Sequence, residues 1–298
     1  MRASSGIGAN VASLNSYGED LLSAAHRARE LSARYCGGCR DYHALFLIER
    51  LFGSVGKIPD REQLADLAGE VARKNKDFRR VLIAGSADTG ILSTIVCGLR
   101  RHAPNVVDEV EFIVADACQT PLELCRDYAK NNGIHLTLSL CDLTSDQVAF
   151  NADLIVQHGL LSFLSPNEHA ATLQRFVKWL APDGKLIVSC AVRESVDGEG
   201  QQLRRVERAK EIRNAVESGL LNFLGDTKEL LARVDKKAER KKNEQRFSFA
   251  SFDEFEGLLN RLCVPTISFD RLSIEHELSN GQTVRRRRAL AVLGSPTP

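Results

Sequence analysis

Between Arg80 and Val192 the chain alternates short apolar runs with stretches of helical periodicity, and this alternation leaves few folds open. Val81 to Ala84 has the length and composition of a buried parallel strand, and Val110 to Ala115, Leu136 to Leu140, Asp153 to Gln157 and Lys185 to Val192 read as further strands. Ile91 to Leu99 reads as a helix. So do Thr120 to about Asn131 and Ser165 to Leu180, because Thr120-Pro121-Leu122-Glu123 and Ser165-Pro166-Asn167-Glu168 each order a cap, a first-turn proline and an acid. Arg100 to Asp108 reads as an extended loop. Strands and helices at this spacing predict right-handed βαβ units and a mostly parallel sheet covered on both faces, an α/β chain. Ser268 to Leu278 and Val284 to Leu293 flank Asn280-Gly281, a two-residue hairpin signal, so the sheet is expected to close with an antiparallel pair.

Residues 1–78 carry helix signals and no strand, and are read as an N-terminal helical cap to the α/β domain of residues 79–298. Leu21 to Tyr35 has helical spacing, Ala44 to Phe52 is a short amphipathic run ending at Gly53, and Asp60 with Gln63 forms a capping-box pattern opening Leu64 to Val71. A charged stretch at about 196–246 interrupts the α/β alternation with two expected helices, Gln201 to Val216 and Thr227 to Lys242, around Gly225-Asp226. It suits a solvated insertion or a lid over a substrate pocket. Ser251 and Glu254 cap a further helix to Leu262.

A formal charge of +1 provides no global field for nucleic acid or an anionic membrane. Arg285 to Arg288 and Lys236 to Lys242 look like basic patches, but alternate strand residues face opposite ways and Glu239 and Glu244 accompany the lysines, so both are read as solvated faces. The longest apolar runs, such as Ala289 to Leu293, are far too short to span a bilayer, and the first residues lack the apolar core of a signal peptide. The 8 cysteines are scattered through apparent helices and strands, as reduced thiols of a cytoplasmic protein would be.

Ligands of open parallel sheets bind beyond the carboxyl ends of the strands. After the first strand lies Gly85-Ser86-Ala87-Asp88-Thr89-Gly90, a turn of small residues leading to a helix N-terminus; after the second, Asp116; after the third, Cys141-Asp142-Leu143; after the fourth, Gln157-His158-Gly159-Leu160-Leu161. With "DLIVQHGLLSFL", "WLAPDGKLIVS" and the closing hairpin, this order resembles class I S-adenosylmethionine-dependent methyltransferases from about Arg80 to Gly294. The resemblance implies a Rossmann-like sheet and S-adenosyl-L-methionine as cofactor. By it, Gly85, Ser86, Ala87 and Gly90 would line the methionine end, Asp116 the ribose, and Asp142 the adenine, with Ala117 and Leu143 flanking the ring and His158 near the sulfonium. The chain departs from the family where Ile83 stands at its usual acidic position, and in a glycine turn one residue longer.

Methyl transfer from a sulfonium needs in-line positioning and, for some acceptors, a base. His158 is a candidate base, with Glu194 beside it as a catalytic candidate; a histidine bonded to backbone or adenine is the alternative reading. Arg193 and Glu194 follow the fifth strand and could face the substrate or form a surface pair, the preferred reading; Tyr42 and His43 of the cap could face the core or the substrate pocket. Cys36-Gly37-Gly38-Cys39 suits half a metal site, with His43 as a third ligand, or a redox pair; it is read here as a helix–helix turn, with no metal expected, and Cys118 as a buried thiol. A small-molecule acceptor is expected, since the Pro-Pro-Tyr and Pro-Cys motifs of base methylation are absent after the fourth strand. A non-catalytic cofactor-binding or regulatory protein stays open, as does an RNA or protein substrate. A nicotinamide enzyme is disfavoured, because G-x-G-x-x-G is absent. Oligomeric state, a homodimer included, is not legible.

Overall fold

The structure, a computed structural model, describes residues 14–36, 42–52, 58–193, 198–219, 249–262, 264–278 and 281–295, with short pieces at 221–222, 228, 231–232 and 235. Among these, three helices precede the sheet: α1 (Leu21–Tyr35), α2 (Tyr42–Phe52) and α3 (Arg61–Lys74). Then come β1 (Arg80–Ala84), α4 (Gly90–His102), β2 (Glu111–Asp116), α5 (Gln119–Asn132), β3 (Leu136–Leu140), β4 (Ala152–His158), α6 (Pro166–Lys178) and β5 (Leu180–Val192). The chain finishes with α7 (Gly198–Glu217), α8 (Phe252–Arg261), β6 (Thr266–Glu277) and β7 (Thr283–Gly294). The sheet order is β3-β2-β1-β4-β5-β7-β6, with β7 antiparallel to both neighbours.

Strand alternation divides the core. Val81, Ile83, Phe112, Val114, Leu154 and Val156 turn to the face covered by α3, α4 and α5. Leu82, Ala84, Ile113, Ala115, Ile155, Leu186 and Val188 turn to the face covered by α6 and α8. Burial on both faces is the physical reason for the continuous apolar runs. Ser165 and Glu168 form the expected capping box of α6, and the Ser251 hydroxyl accepts the Glu254 N–H at 3.1 Å. At the hairpin, Gly281 has φ +79°, while Asn280 lies outside the described residues.

Other expectations are corrected. Arg100 to Asp108 is not an extended loop: α4 runs on to His102, and Val107–Glu109 forms a turn of 3-10 helix. Thr120 is not the cap of α5, because Cys118 holds that place and Thr120 is buried in the first turn. Asp60 stands at the N-cap of α3 but makes no capping hydrogen bond with its side chain. Arg288 is no solvated residue, being only 8% exposed. Most of Thr227 to Lys242, and all of Lys236 to Lys242, lie outside the described residues, as do Gly37, Gly38, Cys39, Gly53 and Glu194.

The helices before the sheet share its core. Leu64, Ala68 and Ala72 of α3 join the same apolar cluster as β1 and β2. Gly69 and Gly98 let α3 and α4 touch backbone to backbone. A methyl group on Gly69 would stand 2.6 Å from the Gly98 carbonyl oxygen, and one on Gly98 would overlap the Ala65 carbonyl. No rotamer relieves a clash with backbone, so Gly98→Ala should cost about 3 kcal/mol, the upper end for overpacking. Gly133→Ala should cost only about 1–2 kcal/mol, from its left-handed φ of +66° in open space. Urea denaturation of the two variants checks the order. Ile212, Ala215 and Val216 of α7 pack with Ala44, Leu47 and Ile48 of α2, so this part of the insertion is seated on the cap.

Candidate functional site

The strand order reverses direction between β1 and β4, and the glycine turn, Asp116 and His158 all stand at the carboxyl edge around that point. Gly85 takes φ +78° as the chain leaves β1, its N–H bonded to the Ala115 carbonyl at 2.9 Å, with Leu160 lying against its open face. The left-handed conformation is why glycine stands there. It turns the Ser86 N–H onto Asp116 Oδ2 at 2.8 Å, while the Cys118 N–H reaches Oδ1 at 2.7 Å. Burial pushes the Asp116 carboxyl up, against these two bonds and the neighbouring His43. Two N–H groups leave lone pairs on both oxygens for further donors.

Asp142 is exposed at the tip beyond β3, in a turn where the Thr144 hydroxyl and N–H bond its Oδ1 at 2.7 and 2.8 Å. The Thr144 contacts hold its carboxyl below the usual range. Ala117 is exposed beside Asp116, and Leu143 is buried under the sheet edge. At the tip of β4 the buried Gln157 carboxamide, with its oxygen toward the turn, accepts the Leu160 N–H at 2.6 Å and that of Leu161 at 3.1 Å. Gly159 follows with φ +74° and open space where a side chain would stand.

The N-terminus of α4 is not left open, as the sequence reading expected. Asp88 Oδ1 accepts the Gly90 N–H at 2.7 Å, and Gly90 itself packs under Ile58 and Arg50. Asp88 belongs to a buried charge cluster that sequence reasoning missed. Arg50 bonds Asp88 at 2.7 Å and Glu19 at 2.5 Å, Arg61 bonds Glu19 at 2.8 Å, and the Thr89 hydroxyl donates to Glu19 at 2.6 Å. Burial alone would raise the Glu19 carboxyl, but Arg50 and Arg61 outweigh it and hold it at about 2.

His158 is engaged by a side chain far from it in sequence. Its Nε2 lies 2.9 Å from Asp60 Oδ1, and the Ser189 hydroxyl donates to Asp60 Oδ2. The Arg288 guanidinium bonds the Ser189 hydroxyl oxygen at 2.7 Å and reaches Asp60 at 3.1 Å. Burial, then Arg288, push the imidazole down, so it stays neutral and donates Nε2–H to Asp60. Asp60 is itself buried, a cost outweighed by Arg288 and His158, which hold its carboxyl far below the usual range. His158 is thus a member of a buried polar joint between α3, β4, β5 and β7, hydrogen-bonded as one of its two sequence readings had it but to a side chain rather than to backbone or adenine.

Of the substrate candidates, His43 is buried and reaches the glycine turn through its Nδ1, 2.6 Å from the Ala87 carbonyl oxygen. Tyr42 stacks edge-on against it at 5.2 Å. Arg193 is exposed, with its N–H bonded to the Phe249 carbonyl at 2.8 Å. Cys118 is half-buried rather than a core thiol, 3.5 Å from Cys36. The acids at the strand tips were legible because strand ends are legible. Glu19, Arg50 and the Asp60 partners had no local signal.

No family model and no curated protein matches the sequence. Solved structures do match. A putative methyltransferase from Bacillus halodurans superposes with a TM-score of 0.51 at 11% identity, over 80% of this chain and 99% of the other. The N-methyltransferase NodS from Bradyrhizobium japonicum gives 0.46 at 13%, over 91% and 100%. TehB from Haemophilus influenzae gives 0.47 at 12%, over 76% and 62%. At such identities the likeness is one of fold. With its parallel strands in the order β3-β2-β1-β4-β5 and an antiparallel β7 set between β5 and β6, the chain has the Rossmann-like fold of the class I S-adenosylmethionine-dependent methyltransferases.

Proposed function

We propose that the chain binds S-adenosylmethionine at the carboxyl edge of β1, β2 and β4 and transfers its methyl group to a small-molecule acceptor. One observation carries the reading: a half-buried carboxylate, Asp116, is clamped by the Ser86 and Cys118 N–H groups beside the left-handed Gly85. An acceptor-only group with spare lone pairs suits the two hydroxyl donors of a ribose. Asp142 with Ala117 and Leu143 suits the adenine, and the Gly85-Ser86-Ala87 backbone suits the amino-acid end. Gly90 is set aside from that lining, since it packs under Arg50 and Ile58. When bound, the cofactor supplies an electrophilic methyl on its sulfonium. The residues around it orient the donor and exclude water, and the proton of the acceptor is not assigned to His158, which Asp60 engages. The altered glycine turn, with Ile83 at the family's usual acidic position, supports a second reading, cofactor binding without turnover.

Calorimetric titration with S-adenosylmethionine, S-adenosylhomocysteine and NAD tests the proposal. The first two should bind, and Asp116→Ala should weaken both about 100-fold, the worth of two hydrogen bonds to a charged acceptor. Tight binding of NAD alone would overturn it. Release of S-adenosylhomocysteine with a pool of small acceptors separates the enzyme from the non-catalytic reading.

A further inference from the structure

We infer that Cys36, His43 and Cys118 form a zinc(II) site that clasps the N-terminal helices to the turn after β2. The inference stands apart from the methyl-transfer reading. The ligands come from separate elements: Cys36 caps the C-terminus of α1, His43 lies in the first turn of α2, and Cys118 is the N-cap of α5. The two Sγ atoms and one imidazole nitrogen all lie within 4.8 Å of one another. The two sulfurs are 3.5 Å apart, close to the roughly 3.8 Å that two Zn–S bonds of about 2.3 Å impose at tetrahedral angles.

The histidine provides the independent observation. Its Nδ1 is 2.6 Å from the Ala87 carbonyl oxygen, an acceptor, so Nδ1 must carry the proton. Nε2 then holds a lone pair, yet it is buried with no hydrogen-bond partner among the described residues. An imidazole that donates one N–H to a backbone carbonyl and turns the other nitrogen to a ligand is the usual arrangement of a metal-binding histidine.

The surroundings suit thiolates. The Thr120 hydroxyl lies 2.9 Å from Cys36 Sγ, where it can donate to a thiolate. Cys118 and Thr120 stand at the positive end of α5, which favours negative charge on both sulfurs. Two thiolates and an imidazole are a soft, mixed donor set that selects zinc over magnesium or calcium. Binding displaces the two thiol protons to solvent and leaves a fourth tetrahedral position for water or another donor atom.

The test uses the full chain purified without chelators. Elemental analysis should find one zinc per chain, and zinc should protect Cys36 and Cys118 from alkylation while leaving Cys97 reactive. After chelation, cobalt(II) should restore thiolate charge-transfer and tetrahedral ligand-field absorption. Cys36→Ser, Cys118→Ser and His43→Gln should each lower zinc affinity about 100-fold or more, beyond the loss of an outer-shell partner, while Cys97→Ser should not. The wild-type readouts do not depend on whether a variant folds. Wild-type protein that takes up neither zinc nor cobalt, with both cysteines equally reactive or joined as a disulfide, overturns the site. So does zinc binding that survives both serine variants. Neither result bears on S-adenosylmethionine binding, which the titration above reads separately.

Discussion

Asp60→Ala is expected to destabilise the protein by about 3–5 kcal/mol, the cost of leaving a buried charge without its partner. The stranded charge is Arg288, whose side chain is 9% exposed and whose guanidinium bridges Asp60 and the Ser189 hydroxyl. His158 loses its acceptor at the same time. These groups tie the start of α3 to three strands, so the loss should be felt globally as a lower urea midpoint rather than as local fraying. Adding Arg288→Met should recover most of it, because an apolar side chain of similar length removes the charge that Asp60 balanced. If the double variant is as unstable as the sum of the single ones, the two residues are not coupled and the joint is misread. Asp60 has a depressed carboxyl, so its contribution is complete above the ordinary aspartate range and fades progressively as pH falls below it.

Arg50→Met should be comparably damaging, for a different reason. Arg50 and Glu19 have side chains only 4% and 1% exposed, and among the described residues Arg50 alone spans Glu19 and Asp88. Its removal leaves Asp88 buried without a cation and Glu19 with Arg61 only. The expected cost is again about 3–5 kcal/mol. Arg50→Lys should rescue little, since a single ammonium cannot replace a fork that meets two carboxylates. The acid limb carries a second readout. Glu19 is held at about 2 against an ordinary 4.5, so its stabilisation is complete above pH 4.5 and fades as pH falls toward 2. Without Arg50 that depression shrinks, and acid unfolding should move to higher pH. Circular dichroism titrations of wild type, Arg50→Met and Glu19→Gln read this directly; an unchanged acid midpoint in Arg50→Met would show that the cluster does not stabilise the fold. Because Asp88 also accepts the Gly90 N–H at the start of α4 and its carbonyl accepts the Ser86 hydroxyl, the same variant should weaken the proposed S-adenosylmethionine binding through the turn.

How far the chain could be read in advance differs sharply between its backbone and its side-chain partners. The run Val81 to Ala84 declared itself because a strand buried on both faces has little room for polar residues, whereas Leu136 to Leu140, a half-exposed edge strand, alternates leucine with Thr137 and Ser139 and begins and ends where the spacing placed it. Asp116 was found because a carboxylate after such a run stands at a strand tip whatever surrounds it. The capping pattern of Ser165 was found for the same local reason, since both partners lie within one turn. The same pattern misled at Asp60, which lost its expected cap role to partners far along the chain. Ser189 is 129 positions from Asp60 and Cys118 is 82 from Cys36.

Local pattern thus determined the order of strands and helices and the acids at the strand tips, because periodicity and capping act within a few residues. Tertiary structure alone decided the rest. Seating β7 against β5 brings Arg288 opposite Ala191, within reach of Ser189 and Asp60, and folding α1 onto α5 brings Cys36 to Cys118. A basic run such as Arg285 to Arg288 does not say which member is buried, because that depends on which strand lies beside it and which helix covers that face.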